Sequence, residues 1–185
     1  MILEQKTVFF LEELEKAFQV PDIMKLKGIA NSALQQAALE NNKFLARIAI
    51  AAYCLYKLST KEHIVQNKNW LSVKKSILEN IEKAAEAEKA NNSEELGKRL
   101  DSAINSVNQI DNELGFFLLG VLDKAKIKLA SSAYVLGLSL GQAAELTGAD
   151  KKQLLQYIAN TVINEEEEPG IGIAERLEKI KKLLK

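Results

Sequence analysis

The chain has 185 residues, enough to bury a core as one domain or two small ones, and an apolar fraction of 47% excludes wholesale disorder. Lys and Arg total 25 and so do Asp and Glu, so no overall charge draws the molecule to nucleic acid or anionic lipid, and any such affinity is local. Only Pro21 and Pro169 interrupt a composition rich in Ala, Leu, Ile, Glu and Lys, and no segment alternates apolar and polar residues as a half-buried strand does. The fold class expected is all-α.

In chain order, residues 2–19 predict a first helix, with Phe9, Phe10, Leu14, Ala17 and Phe18 at helical spacing and Pro21-Asp22 marking its end. A second runs from Asp22 toward Asn41-Asn42 and carries a small-residue stripe including Ala30, Ala33, Ala37 and Ala38, which permits close helix contact. Residues 43–58 are apolar around much of the circumference and predict the most buried helix. Residues 59–69 read as a polar loop. Trp70, Val73, Ile77, Leu78 and Ile81 then open an amphipathic helix ending near Asn91-Asn92, and Ser93-Glu94-Glu95 starts the next, whose stripe is Leu96, Leu100, Ile104, Val107 and Ile110. That seam continues through Leu114 into the apolar run 116–122, and a helix over 111–136 is expected to carry the chain onward, with Gly115 and Gly120 as places of kinking or interruption. Together these predict an irregular bundle of roughly five or six helices; hairpin pairs of tetratricopeptide type lack a second copy at the expected period of about 34 residues.

Residues 138–158 are the segment with the most specific pattern. Ser139 followed by Gln142 and Asp150 followed by Gln153 are two capping-box spacings, each announcing a helix, and Gly148 between them permits a sharp turn. Ala144 lets the second helix cross the first closely, and Leu140, Leu146, Leu154 and Tyr157 are the expected shared core. Lys151, Lys152, Gln153, Gln156 and Asn160 then lie on the outer side of the second helix, as groove-facing residues do. The stretch Gly137-Leu138-Ser139-Leu140-Gly141-Gln142-Ala143-Ala144-Glu145-Leu146-Thr147-Gly148 resembles the helix-turn-helix of small prokaryotic antitoxin-like regulators and of uncharacterised archaeal helical proteins with such a unit near the C-terminus. The resemblance implies contact with double-stranded DNA. The chain departs from many DNA-reading units in having Ala149 and Asp150 after the turn glycine, which places an acid where a phosphate approaches. From 123 to 160, five lysines face three acids, a local charge of +2.

Beyond Asn160 the run Glu165 to Glu168 followed by Pro169-Gly170 reads as a solvated linker, and residues 173–184 as an amphipathic helix with Ile173, Leu177, Ile180 and Leu184 on one face. A helix this short is marginal alone, so that face docks on its own chain, on a second copy or on a protein partner. The organisation expected is a helical bundle over 1–122, a helix-turn-helix unit over 123–163, and a linker with terminal helix over 164–185.

Groups that carry chemistry are sparse. His63 is the only histidine and lies beside Glu62 in the polar loop, and Cys54 is the only cysteine, so neither a Cys/His zinc site nor an intramolecular disulfide can be built. The glutamate run lacks fixed oxygen geometry for a metal, Gly170-Ile171-Gly172 lacks the lysine and hydroxyl of a phosphate loop, and no nucleophile-elbow pattern occurs. Trp70, Tyr53 and Tyr56 read either as a base-stacking platform or, at helical spacing among aliphatics, as packing residues. The expectation is a non-enzyme with no catalytic residues, cofactor, metal or small-molecule substrate. The single cysteine, the early acids Glu4, Glu12 and Glu13, and the lack of an apolar run near the ~20 residues of a membrane span point to the cytoplasm and away from a membrane. Two functions compete: DNA binding through Lys151, Lys152, Gln153, Gln156 and Asn160, and a helical adaptor in which the turn is a packing corner and the terminal stripe, or a groove in the bundle, meets a protein or ribonucleoprotein partner.

Overall fold

A computed structural model describes residues 3–113 and 120–165, all helix and connecting turns with no strand among them. The helices are α1 (Leu3–Gln19), α2 (Ile23–Glu40), α3 (Lys43–Ser59), α4 (Glu62–Val65), α5 (Trp70–Lys89), α6 (Ser93–Glu113), α7 (Val121–Val135), α8 (Leu140–Thr147) and α9 (Lys151–Glu165).

Short polar residues set most of these boundaries, because one side chain satisfies the amides a helix start leaves open. Asp22 accepts from the Lys25 amide at 2.9 Å, Asn42 from the Phe44 and Leu45 amides at 2.9 and 3.2 Å, and Asn92 from the Glu95 amide at 3.0 Å. The residue before each asparagine cap takes the left-handed conformation, Asn41 at φ 50° and Asn91 at φ 54°. The amides of Asn42 and Asn92 then reach back to the carbonyls of Ala37 and Ala87, at 3.0 and 2.9 Å. Each Asn-Asn pair therefore closes one helix and opens the next, folding α2 with α3 and α5 with α6 into two tight hairpins.

α1 lies across both hairpins, packed most extensively on α5 and also on α2 and α3. α3 is the common element. It touches α1, α2, α4, α6, α7 and α8, and ten of its residues, from Leu45 to Leu58, are buried. This central position follows from its apolar circumference. The 59–69 segment is not purely a polar loop: α4 forms one turn there and plants a fully buried Ile64 against the core.

The expected helix over 111–136 is not continuous. Gly120 stands at φ 90° immediately before α7, a backbone state that a helix interior does not contain and that glycine adopts without steric penalty. α7 is therefore an independent element, and the expected boundary at 122/123 falls inside its first turn. Leu114, Gly115 and the apolar residues 116–119 lie outside the described residues, as do Pro169 and the stripe Ile173, Leu177, Ile180 and Leu184. α7 packs on α3, α8 on α7 and α3, and α9 on α7 and α8. No helix among the described residues is long and apolar enough to cross a membrane.

Candidate nucleic-acid interface

Ser139 and Gln142 form a complete capping box at the start of α8. The Ser139 hydroxyl accepts from the Gln142 amide at 3.2 Å, and the Gln142 side chain accepts from the Ser139 amide at 2.9 Å. α8 closes at Gly148, φ 66°, where the Ala149 amide returns to the Ala144 carbonyl at 3.0 Å. A Cβ on Gly148 would meet nothing within 4 Å, so the backbone angle and not crowding calls for glycine. The second box is half made: Asp150 accepts from the Gln153 amide at 2.9 Å, with no return bond from the Gln153 side chain. That leaves the Gln153 carboxamide free for a ligand. It also means that the Asp150 carboxylate occupies the start of α9, so an anion meets α9 through side chains and not through its terminal amides.

Beneath the turn, Ala143, Ala144, Leu146 and Leu154 are buried against Ala125, Leu129, Ala130 and Ala133 of α7. Leu140 and Tyr157, expected in this core, lie at its margin, each half-buried. Lys151, Lys152, Gln153, Gln156 and Asn160 are all exposed along the outside of α9, and Leu155, 55% exposed, lies among them. Glu145 on α8 pairs with Lys43 of α3 at 2.9 Å, an exposed contact that offsets this acid's charge and adds little to stability.

A second group of residues borders α9. Lys128 of α7 sits 5.9 Å above the Tyr157 ring, within cation–π range. On α3, Lys57 lies 5.6 Å from the Tyr53 ring and 5.1 Å from that of Tyr56, and the two tyrosines meet edge to face at 5.9 Å. Burial, followed by the nearby phenols of Tyr157 and Tyr56, pushes the Tyr53 phenol above its ordinary value. α7 packs on both α3 and α9 and so lies between the two tyrosine groups. Of the two readings of Trp70, Tyr53 and Tyr56, the packing one fits, with Trp70 in the buried core and Tyr53 and Tyr56 half-buried against it. Trp70 is buried, and packs edge to face on Phe18 at 5.9 Å. Tyr53 and Tyr56 belong instead with Lys57, Lys128 and Tyr157. Tyr and Lys four residues apart on one helix face was the available signal for the α3 part.

His63 is exposed on α4. Cys54 is fully buried in α3, and burial pushes its thiol up to about 12, so it stays protonated and unreactive at neutral pH. The groove between α1 and α5 is shallow and of mixed charge, lined by Glu15, Lys75, Glu79 and Glu82, with Lys74 donating across it to the Gln19 carbonyl at 2.9 Å.

Family models, curated proteins and solved structures were each compared with the chain, and none matches it.

Proposed function

We propose that this chain is a non-enzymatic regulatory protein that binds double-stranded DNA, with α8 and α9 acting as a helix-turn-helix and α9 entering the major groove. The observation that carries the reading is the exposed outer face of α9, on which Lys151 and Lys152 have no acidic partner among the described residues and Gln153, Gln156 and Asn160 have unused carboxamides. The lysines neutralise phosphates, while an amide can bond an adenine edge in bidentate fashion. At 1.5 Å rise per residue, positions 151 to 160 extend about 13 Å, roughly four base-pair steps, so a single unit reads a short site and specificity requires a second unit.

Retention of labelled duplex at low and moderate salt tests this. The intact chain is expected to bind at low salt and to release as salt rises, and Lys151→Ala with Lys152→Ala to weaken binding and lower the salt slope by about 1.8. No retention at low salt, or an unchanged double variant, rejects the reading.

One observation favours the adaptor instead: Leu155 at 55% exposure on α9, with Val135 at 70% at the end of α7, gives this region apolar surface suited to a protein. Sedimentation of the full chain beside one ending at Asn164 separates the cases for the distal stripe, since a self-association contact through Leu177 and Ile180 would be lost on truncation.

A further inference from the structure

Four basic side chains at helix junctions of the N-terminal body are matched with acids on other helices. Lys6 pairs with Glu40, Lys25 with Glu13 at 2.7 Å, Lys89 with Glu12 at 2.7 Å and Arg47 with Asp101 at 3.6 Å. The α3–α7–α9 junction breaks this pattern. Lys57 and Lys128 have aromatic faces in place of carboxylates, at 5.1 to 5.9 Å, and neither has an acid within ion-pairing distance among the described residues; Lys74 of α5 also lies over a ring, Phe18 at 5.6 Å, but its ammonium donates to the Gln19 carbonyl at 2.9 Å. An aromatic face restricts where an ammonium sits but leaves its charge intact, whereas a carboxylate cancels it. Lys124, one turn before Lys128 on α7, is exposed and likewise unpaired among the described residues.

The position of these cations relative to α9 is specific. Tyr157, beneath Lys128, follows Gln153 by one helical turn and precedes Asn160 by three residues, so Lys128 lies beside the edge of α9 that carries two of the proposed base-reading amides. α3 packs directly on α7, and on it Tyr53 and Tyr56 carry the strip on to Lys57. A duplex whose groove receives α9 has a phosphate strand along each side of that helix, and the side toward α7 runs over this strip.

We infer that Lys57 and Lys128, held over Tyr53, Tyr56 and Tyr157, form a second contact that grips the DNA phosphate strand flanking α9. The inference rests on the DNA reading above and adds that the N-terminal body, through α3, contributes directly to the bound surface. Tyrosine hydroxyls at the strip supply further donors to phosphate oxygens.

The test is fluorescence anisotropy of a labelled duplex titrated with the full chain across a salt series, using four proteins: the unaltered chain, K57Q with K128Q, K151Q with K152Q, and K27Q with K68Q as a control of equal charge change at exposed sites elsewhere. The expected result is roughly tenfold weaker binding for the K57Q/K128Q protein at about 100 mM salt, with its salt slope reduced by about 1.8, while the K27Q/K68Q protein follows the unaltered chain. If the K151Q/K152Q protein loses binding while the K57Q/K128Q protein keeps the original slope, the second contact is overturned and the α9 reading stands. Equal weakening by K27Q/K68Q overturns it too, by tracing the effect to net charge. If the unaltered chain does not bind duplex, both fall.

Discussion

The N-terminal body and the α7–α9 unit are made of the same helical material but stabilised differently. In the body, Leu11, Leu14, Phe18, Leu26, Leu45, Ile48 and Leu55 are buried together, and cations on neighbouring helices meet acids across the seams. In α7–α9, the buried set is mainly alanine, with Leu129, Leu146 and Leu154 as its large members, and Lys124, Lys128, Lys151 and Lys152 have no acidic partner among the described residues. Alanines bring helices close but remove less apolar surface from water than leucines do. The lesson is that the unit with available charge leans on neighbours for stability, α3 foremost and α2 and α6 to a smaller extent.

Removing bulk from each part sharpens the contrast most. Ile48→Ala in α3 is expected to cost about 2 to 5 kcal/mol and to lower the melting temperature of the whole chain, because this helix serves both parts. Leu154→Ala, which removes one of the few large side chains beneath α9, is expected to cost a similar amount while acting locally. Hydrogen exchange should then quicken in α8 and α9 while amides of α1, α2, α5 and α6 keep their protection. Equal loss of protection everywhere would contradict the division.

A smaller effect is expected at the turn. Gly148→Ala should cost about 1 to 2 kcal/mol, since φ of 66° is unfavourable for a residue with a Cβ, whereas Gly148→Asn should cost less because asparagine tolerates that region. Thermal melting of the two variants checks the order; equal losses would point to something other than the backbone angle.

Acidification should have the smallest effect and fall on the body. The Lys89 ammonium holds the Glu12 carboxyl below the usual carboxylate range, and Lys25 does the same for Glu13. With folded values below the unfolded one of about 4.3, their stabilisation is present above that pH and fades as pH falls through the folded values. Both groups are near the surface, so the change is expected to be slight. Amide chemical shifts near the α1–α5 and α1–α2 contacts should follow pH in this window more closely than those of α7.

Much of the fold was legible because helix boundaries are local. Asp22, Asn42, Asn92, Ser139 and Asp150 each cap within three residues of their own position, and those signals read directly from the chain. Ile64 was not legible, since a single isoleucine in a polar segment carries no period; burial against α3 makes it an anchor. At Gly120 the chain offered a kink or an interruption without deciding between them, because an apolar run continues past it and only the backbone angle separates a bend from a new helix. For the candidate interface, the exposed face of α9 followed from helical spacing. The strip from Lys57 to Lys128 did not, because it depends on which cations acquire acids and which acquire aromatic rings once distant segments meet, and the net charge of the chain is silent on that.

The double engagement of α3 bears on modularity. Severed at Gly120, the segment from Val121 onward would lose the contacts that α2, α3 and α6 make with α7 and α8, and the Lys43 partner of Glu145. The unit is therefore poorly suited to transplantation: grafted onto another scaffold, it would need a substitute for α3 and for the smaller contacts of α2 and α6.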